Sequence, residues 1–119
     1  MEPKRILYAD DETTSRKVLA FQLKKRGFLC DLAVDGPEAL KKFRDGPYDM
    51  VILDRYMPGM DGEEVAREIR KLAPSVPLIA VTADPSDEDV LRRAGFREVL
   101  AKPLRGESHL AIIESYLTD

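Results

Sequence analysis

Short unbroken apolar runs alternate with longer stretches of helical period along this chain. The apolar runs are Ile6-Leu7-Tyr8-Ala9, about Leu29 to Val34, Met50-Val51-Ile52-Leu53, Leu78-Ile79-Ala80-Val81, and about Val99 to Ala101. Runs that are apolar throughout, rather than at every second residue, suit strands covered on both faces of a parallel sheet. The first helix is predicted over about Thr13 to Arg26, with Leu19 and Leu23 four apart on one face. It closes on Lys24-Lys25-Arg26-Gly27, cations at the negative helix end followed by a glycine suited to the left-handed cap. Asp35-Gly36-Pro37 opens a short helix carrying Leu40 and Phe43, which ends near Asp45-Gly46. A third helix shows Val65, Ile69, Leu72 and Ala73 at i, i+4, i+7 and i+8. Pro85-Ser86 opens a fourth that ends at Arg92-Arg93-Ala94-Gly95, and a last one carries Leu110, Ile113 and Leu117. The alternation predicts an α/β domain of (βα)5 form.

The polar residues that matter are set by this frame. Asp10 and Asp11, Asp54, Thr82 and Lys102 each stand directly after an apolar strand. Right-handed crossovers place helices on both faces and leave the C-terminal strand ends on one open edge, where ligands bind. Three carboxylates, one hydroxyl and one ammonium are thereby directed to one cleft. Carboxylates that share a site resist ionising together, and Lys102 alone does not balance them. A hard divalent cation would, and Mg²⁺ takes one or two protein carboxylates, keeps waters and bridges to phosphate oxygens. Such a cleft suits a phosphoryl group, and a carboxylate can itself be the nucleophile.

Composition narrows the alternatives. The 119 residues suit one domain with a core of its own. A net charge of −3 disfavours non-specific nucleic-acid binding. With one cysteine, Cys30, and one histidine, His109, neither an intrachain disulfide nor a Cys/His zinc site can form. The first apolar run is too short for a signal peptide, and no stretch approaches a bilayer span. A cytoplasmic location, without membrane contact, is expected.

With these motifs in order, the chain resembles a response-regulator receiver domain of two-component signalling, of the chemotaxis-regulator kind. The resemblance rests on Asp10-Asp11, Asp54, Met57-Pro58 with Asp61-Gly62, Thr82-Ala83 and Lys102-Pro103, and it spans residues 1–119 as a single receiver domain. It implies a doubly wound flavodoxin-like fold with a five-stranded parallel sheet of order 2-1-3-4-5. It implies Asp54 as phosphoacceptor and Mg²⁺ on the carboxylates of Asp11 and Asp54 and the backbone carbonyl of Tyr56, with Asp10 acting through water. Thr82 would hydrogen-bond a phosphoryl oxygen. Lys102 would pair with Asp54 before phosphorylation and with the phosphoryl group after it, aimed by the cis peptide to Pro103 that family members often have. The implied partners are a sensor histidine kinase or phosphotransfer protein, and a downstream protein or covalent output domain. The only chemistry implied is self-catalysed phosphorylation and dephosphorylation.

Other readings stand beside this one. A degenerate receiver would only dock proteins. A Mg²⁺-dependent aspartyl-phosphate phosphatase of the dehalogenase kind needs an acid two residues past its nucleophile, where Tyr56 follows Asp54; taking Asp10 as nucleophile supplies Glu12 but leaves the Asp54 loop unexplained. A flavin-phosphate site would be repelled by the carboxylates. His109 is expected at the surface and Cys30 in the core. Lys24-Lys25-Arg26, Lys41-Lys42 and Arg92-Arg93 read as solvated faces. One departure from the family pattern is Val99, three residues before Lys102, where an aromatic residue is usual.

Overall fold

The computed structural model describes residues 2–118. The strands are β1 (Arg5–Ala9), β2 (Leu29–Ala33), β3 (Met50–Asp54), β4 (Leu78–Thr82) and β5 (Glu98–Ala101). The helices are α1 (Thr13–Lys25), α2 (Gly36–Asp45), α3 (Gly62–Leu72), α4 (Glu88–Arg93) and α5 (Ser108–Ser115). All strand pairs are parallel, in the order β2-β1-β3-β4-β5, as the resemblance implied.

Two apolar layers sandwich the sheet, and strand parity assigns each side chain to one of them. Leu7, Ala9, Val51, Leu53, Leu78 and Ala80 pack beneath α2, α3 and α4. Ile6, Tyr8, Met50, Ile52, Ile79 and Val81 pack beneath α1 and α5. β3 and β4 are buried along their whole length, which explains their unbroken apolar sequence.

Several expectations are corrected. Pro85–Asp87 forms a 3₁₀ turn, so α4 starts only at Glu88. The Asp84 carboxylate draws this turn tight by accepting the Ser86 backbone N–H at 3.1 Å and the Ser86 hydroxyl at 2.6 Å. α5 stops at Ser115, and Leu117 packs into the core from the turn beyond it. His109 is not a surface residue: it is 4% exposed, on the inward side of α5 with Leu110 and Ile113. Gln22 of α1 donates its amide to the Gly106 carbonyl at 2.9 Å and presents its oxygen to His109 Nε2 at 2.7 Å. Nε2 must then carry the proton, and burial holds the ring below its ordinary pKa. Cys30 is half-buried rather than a core residue. The basic clusters are not merely solvated: Arg26 bridges to Glu114 and Glu107 on or beside α5, and Arg92 donates to Glu88 and to the Arg97 carbonyl.

Candidate functional site

Parity and register aim three of the predicted groups at one place. Asp10 continues the Ile6–Tyr8 side of β1, Asp54 the Met50–Ile52 side of β3, and Lys102 the Leu100 side of β5. Ala9 pairs with Leu53, which brings Asp10 level with Asp54. Lys102 lies just beyond β5, its N–H donating to the Thr82 carbonyl at 2.8 Å, and the Lys102–Pro103 peptide is cis. The ammonium reaches back across β4 to Asp10 Oδ2 at 2.9 Å and Asp54 Oδ2 at 3.2 Å, with Glu12 Oε1 at 3.8 Å. Asp10 and Asp54 are buried, and Asp11 stands exposed at the rim. One carboxylate oxygen from each of Asp10, Asp11 and Asp54 lies within 4.8 Å of the others.

The electrostatics of this cluster are unbalanced. Burial first, and then the charge of Asp10, push the Asp54 carboxyl up to about 7 against the opposing pull of Lys102. Burial also pulls the Lys102 ammonium down, but its hydrogen bond to Asp10 and the charge of Asp54 outweigh that, and its net shift is upward. Lys102 thus faces the carboxylates of Asp10, Asp54 and Glu12, with Asp11 beside them. The remaining deficit and the all-oxygen donor set fit a hard divalent ion such as Mg²⁺.

The loop after β3 is built to lie close to Asp54. Asp61 caps α3 by accepting the Glu64 N–H at 2.9 Å. Gly62 donates its N–H to the Arg55 carbonyl at 2.7 Å, and a Cβ there would lie 2.5 Å from the Asp54 carbonyl oxygen. Only glycine permits that approach, which accounts for the Asp61-Gly62 pair. Met57 anchors the loop in the core, while the Tyr56 side chain is 60% exposed.

Thr82 engages its hydroxyl within its own loop. Its parity continues Leu78 and Ala80, on the opposite side of the sheet from Asp54. Its hydroxyl accepts the Asp84 N–H at 3.1 Å.

Two polar residues near the site carried no functional reading in the sequence. Tyr8 donates its hydroxyl to Asp10 Oδ2 at 2.6 Å. Arg55 donates from Nε to Glu63 at 2.9 Å and from Nη1 to Asp87 at 2.7 Å, with its guanidinium 5.0 Å from the centre of the Tyr56 ring. The signal for Tyr8 was its place two residues before Asp10, on the same strand face. Arg55 had no such signal, because Asp87 is brought to it only by the fold.

Residues 6–114 match the model of the response regulator receiver domain, and the chain belongs to that family, as a receiver domain of two-component response regulators. It is 36% identical over 118 residues to the two-component response regulator ORR41 of Oryza sativa subsp. japonica, covering 94% of this chain and 93% of that protein. It is 37% identical over 114 residues to the sensory transduction protein RegX3 of Mycobacterium tuberculosis, where the match takes 94% of this chain but only 50% of RegX3. Among solved structures, the response regulator TrrA of Thermotoga maritima in complex with Mg²⁺-BeF superposes with a TM-score of 0.86 at 40% identity, covering 97% of this chain and 99% of that one. No helix among the described residues is long and apolar enough to cross a membrane.

Proposed function

We propose that this receiver domain accepts a phosphoryl group on Asp54 in a Mg²⁺-dependent reaction and thereby switches its partner interactions. The observation that carries this is the placement of a buried Asp54 carboxylate 3.2 Å from Lys102, within a 4.8 Å cluster of three carboxylates. Asp11 and Asp54 would hold Mg²⁺ through their carboxylates and Tyr56 through its backbone carbonyl, with Asp10 acting through water. When bound, Mg²⁺ supplies positive charge to the phosphoryl oxygens.

The Asp54 oxygen attacks phosphorus, and the bond from phosphorus to the donor breaks, with its electron pair leaving on the donor. The donor is the phosphohistidine of a sensor kinase or phosphotransfer protein, or a small acyl phosphate. Lys102, already beside Asp54, moves its hydrogen bond onto the transferred group. Thr82 would redirect the hydroxyl proton that now points to the Asp84 carbonyl at 3.4 Å onto a phosphoryl oxygen, so its loop is the part that rearranges. The chain acts as one signalling unit over residues 1–119, in the cytoplasm. It speaks to a downstream protein or an attached output domain and turns over nothing except its own phosphoryl group.

Intact mass after incubation with acetyl phosphate and Mg²⁺ tests this. One phosphoryl mass is expected on the wild-type protein and none on Asp54→Asn. Equal labelling of the variant overturns the assignment.

A further inference from the structure

We propose that Tyr8 is a positioning residue of the metal site, its buried hydroxyl holding the Asp10 carboxylate in the orientation from which it faces the metal. The inference rests on the reading of the Asp10–Asp11–Asp54 cluster as a Mg²⁺ site.

Tyr8 is fully buried, with its ring in the core beneath α1 and α5. A phenylalanine would fill that space as well, so the hydroxyl is what needs a reason. It sits at the upper end of the ring, two residues below Asp10 on the same strand face, and donates to Asp10 Oδ2 at 2.6 Å. Lys102 Nζ approaches the same oxygen at 2.9 Å. The other oxygen, Oδ1, accepts the Glu12 N–H at 2.9 Å.

Three of the roughly four lone-pair directions of this carboxylate are therefore occupied. The donors come from three parts of the fold: the strand below, the loop above and the segment after β5. Together they fix the carboxylate plane within the cluster it forms with Asp11 and Asp54. Tyr8 is the donor among these that neither belongs to the neighbouring loop nor pairs with Asp54. Without it, Asp10 Oδ2 is held by Lys102 alone, and Lys102 is divided between Asp10 and Asp54. Groups that orient the ligands of a metal cost about 10- to 100-fold when lost; Asp10 acts through water, so a group that orients Asp10 should cost less.

The test is Mg²⁺ titration, by calorimetry and by amide NMR shifts, of the wild type, Tyr8→Phe, Asp10→Asn, their double variant and Asp11→Asn. Tyr8→Phe should weaken Mg²⁺ severalfold, less than the roughly 10-fold that follows losing a partner of a direct ligand, while keeping the amide spectrum of a folded protein. In the double variant, Tyr8→Phe should cost almost nothing beyond Asp10→Asn, because the two act through one carboxylate. The Tyr8 ring resonances of the wild type should also shift as Mg²⁺ is added, a reading that needs no variant.

Wild-type affinity in Tyr8→Phe, alongside lost affinity in Asp11→Asn, overturns this inference and leaves the metal site standing. Full additivity in the double variant, or Tyr8 resonances indifferent to Mg²⁺, also overturns it, since the hydroxyl would then serve packing alone. Unchanged affinity in Asp11→Asn overturns the metal site itself.

Discussion

Arg55 Nη1 donates to Asp87 Oδ2 at 2.7 Å, joining two residues 32 apart in the chain. Arg55 directly follows the phosphoacceptor candidate, and Asp87 closes the 3₁₀ turn after Thr82, so this ion pair ties together the two loops that flank the site. The Arg55 side chain is only 9% exposed, against 44% for Asp87. A guanidinium so buried needs its acceptors, while an acceptor half in water contributes less than a buried one. Asp87→Ala should therefore cost about 1 kcal/mol of stability. The cost should grow once Glu63, the second acceptor of Arg55, is also removed, because the buried guanidinium then keeps neither carboxylate. Urea unfolding reads both effects, and an unmoved midpoint in Asp87→Ala would refute the tie.

The unbalanced charge at Asp54 has a consequence for stability. Its carboxyl is raised to about 7 by burial and by Asp10, above its value in the unfolded chain. Between about pH 4 and pH 7 the folded state then holds the more protons, so metal-free stability falls as pH rises through that window. Asp54→Asn removes the penalty. It should stabilise the metal-free protein by on the order of 2 kcal/mol at pH 7.5 and have little effect near pH 4. Denaturation of both proteins at the two pH values checks the sign, and a variant less stable than wild type at pH 7.5 would contradict it.

Tyr56 and Asp84 each stand two residues beyond an expected site residue, Asp54 and Thr82, but differ in freedom. The Tyr56 ring is exposed, with the Arg55 guanidinium over its face, so it can screen the phosphoryl group from water. The Asp84 carboxylate is committed to Ser86, whose hydrogen bonds hold it below the usual carboxylate range. Tyr56→Ala should shorten the phosphorylated lifetime severalfold. Asp84→Ala should alter it by loosening the turn that orients Thr82. Loss of phosphoryl mass over time measures both, and identical lifetimes across the two variants would sink the prediction.

Val99 should transmit little. It is half-buried, pairs with Ala80 and packs against the layer beneath α2, α3 and α4. A β-branched side chain has few rotamers and no ring to swing between core and surface. Beryllofluoride, which stands in for the phosphoryl group on Asp54, should shift the backbone resonances of the Asp54 and Thr82 loops strongly and those of Arg97 to Ala101 weakly. Comparable shifts in both regions would show that the β5 surface carries the signal after all.

Features governed by local pattern could be read along the chain. Short continuous apolar runs that alternate with segments of helical period suit strands covered on both sides, so the parallel (βα)5 sheet was legible. Residues at the ends of those runs had to gather on one edge, so Asp10, Asp54 and Lys102 were legible as neighbours before any coordinates. Features that depend on approach across the sheet and between helices emerged only from the packed fold. Thr82 turned out to lie on the opposite strand face and to bond its own loop. His109 was buried because α5 presents that side to α1 and Gln22 satisfies its ring. The Arg55–Asp87 pair has no trace in local spacing, since a contact across 32 residues is set by how two loops pack. The Tyr8 hydroxyl lies between these cases: alternation put it on the same face as Asp10, but only the packed core, which leaves its ring no other direction, brought its oxygen to 2.6 Å from the carboxylate.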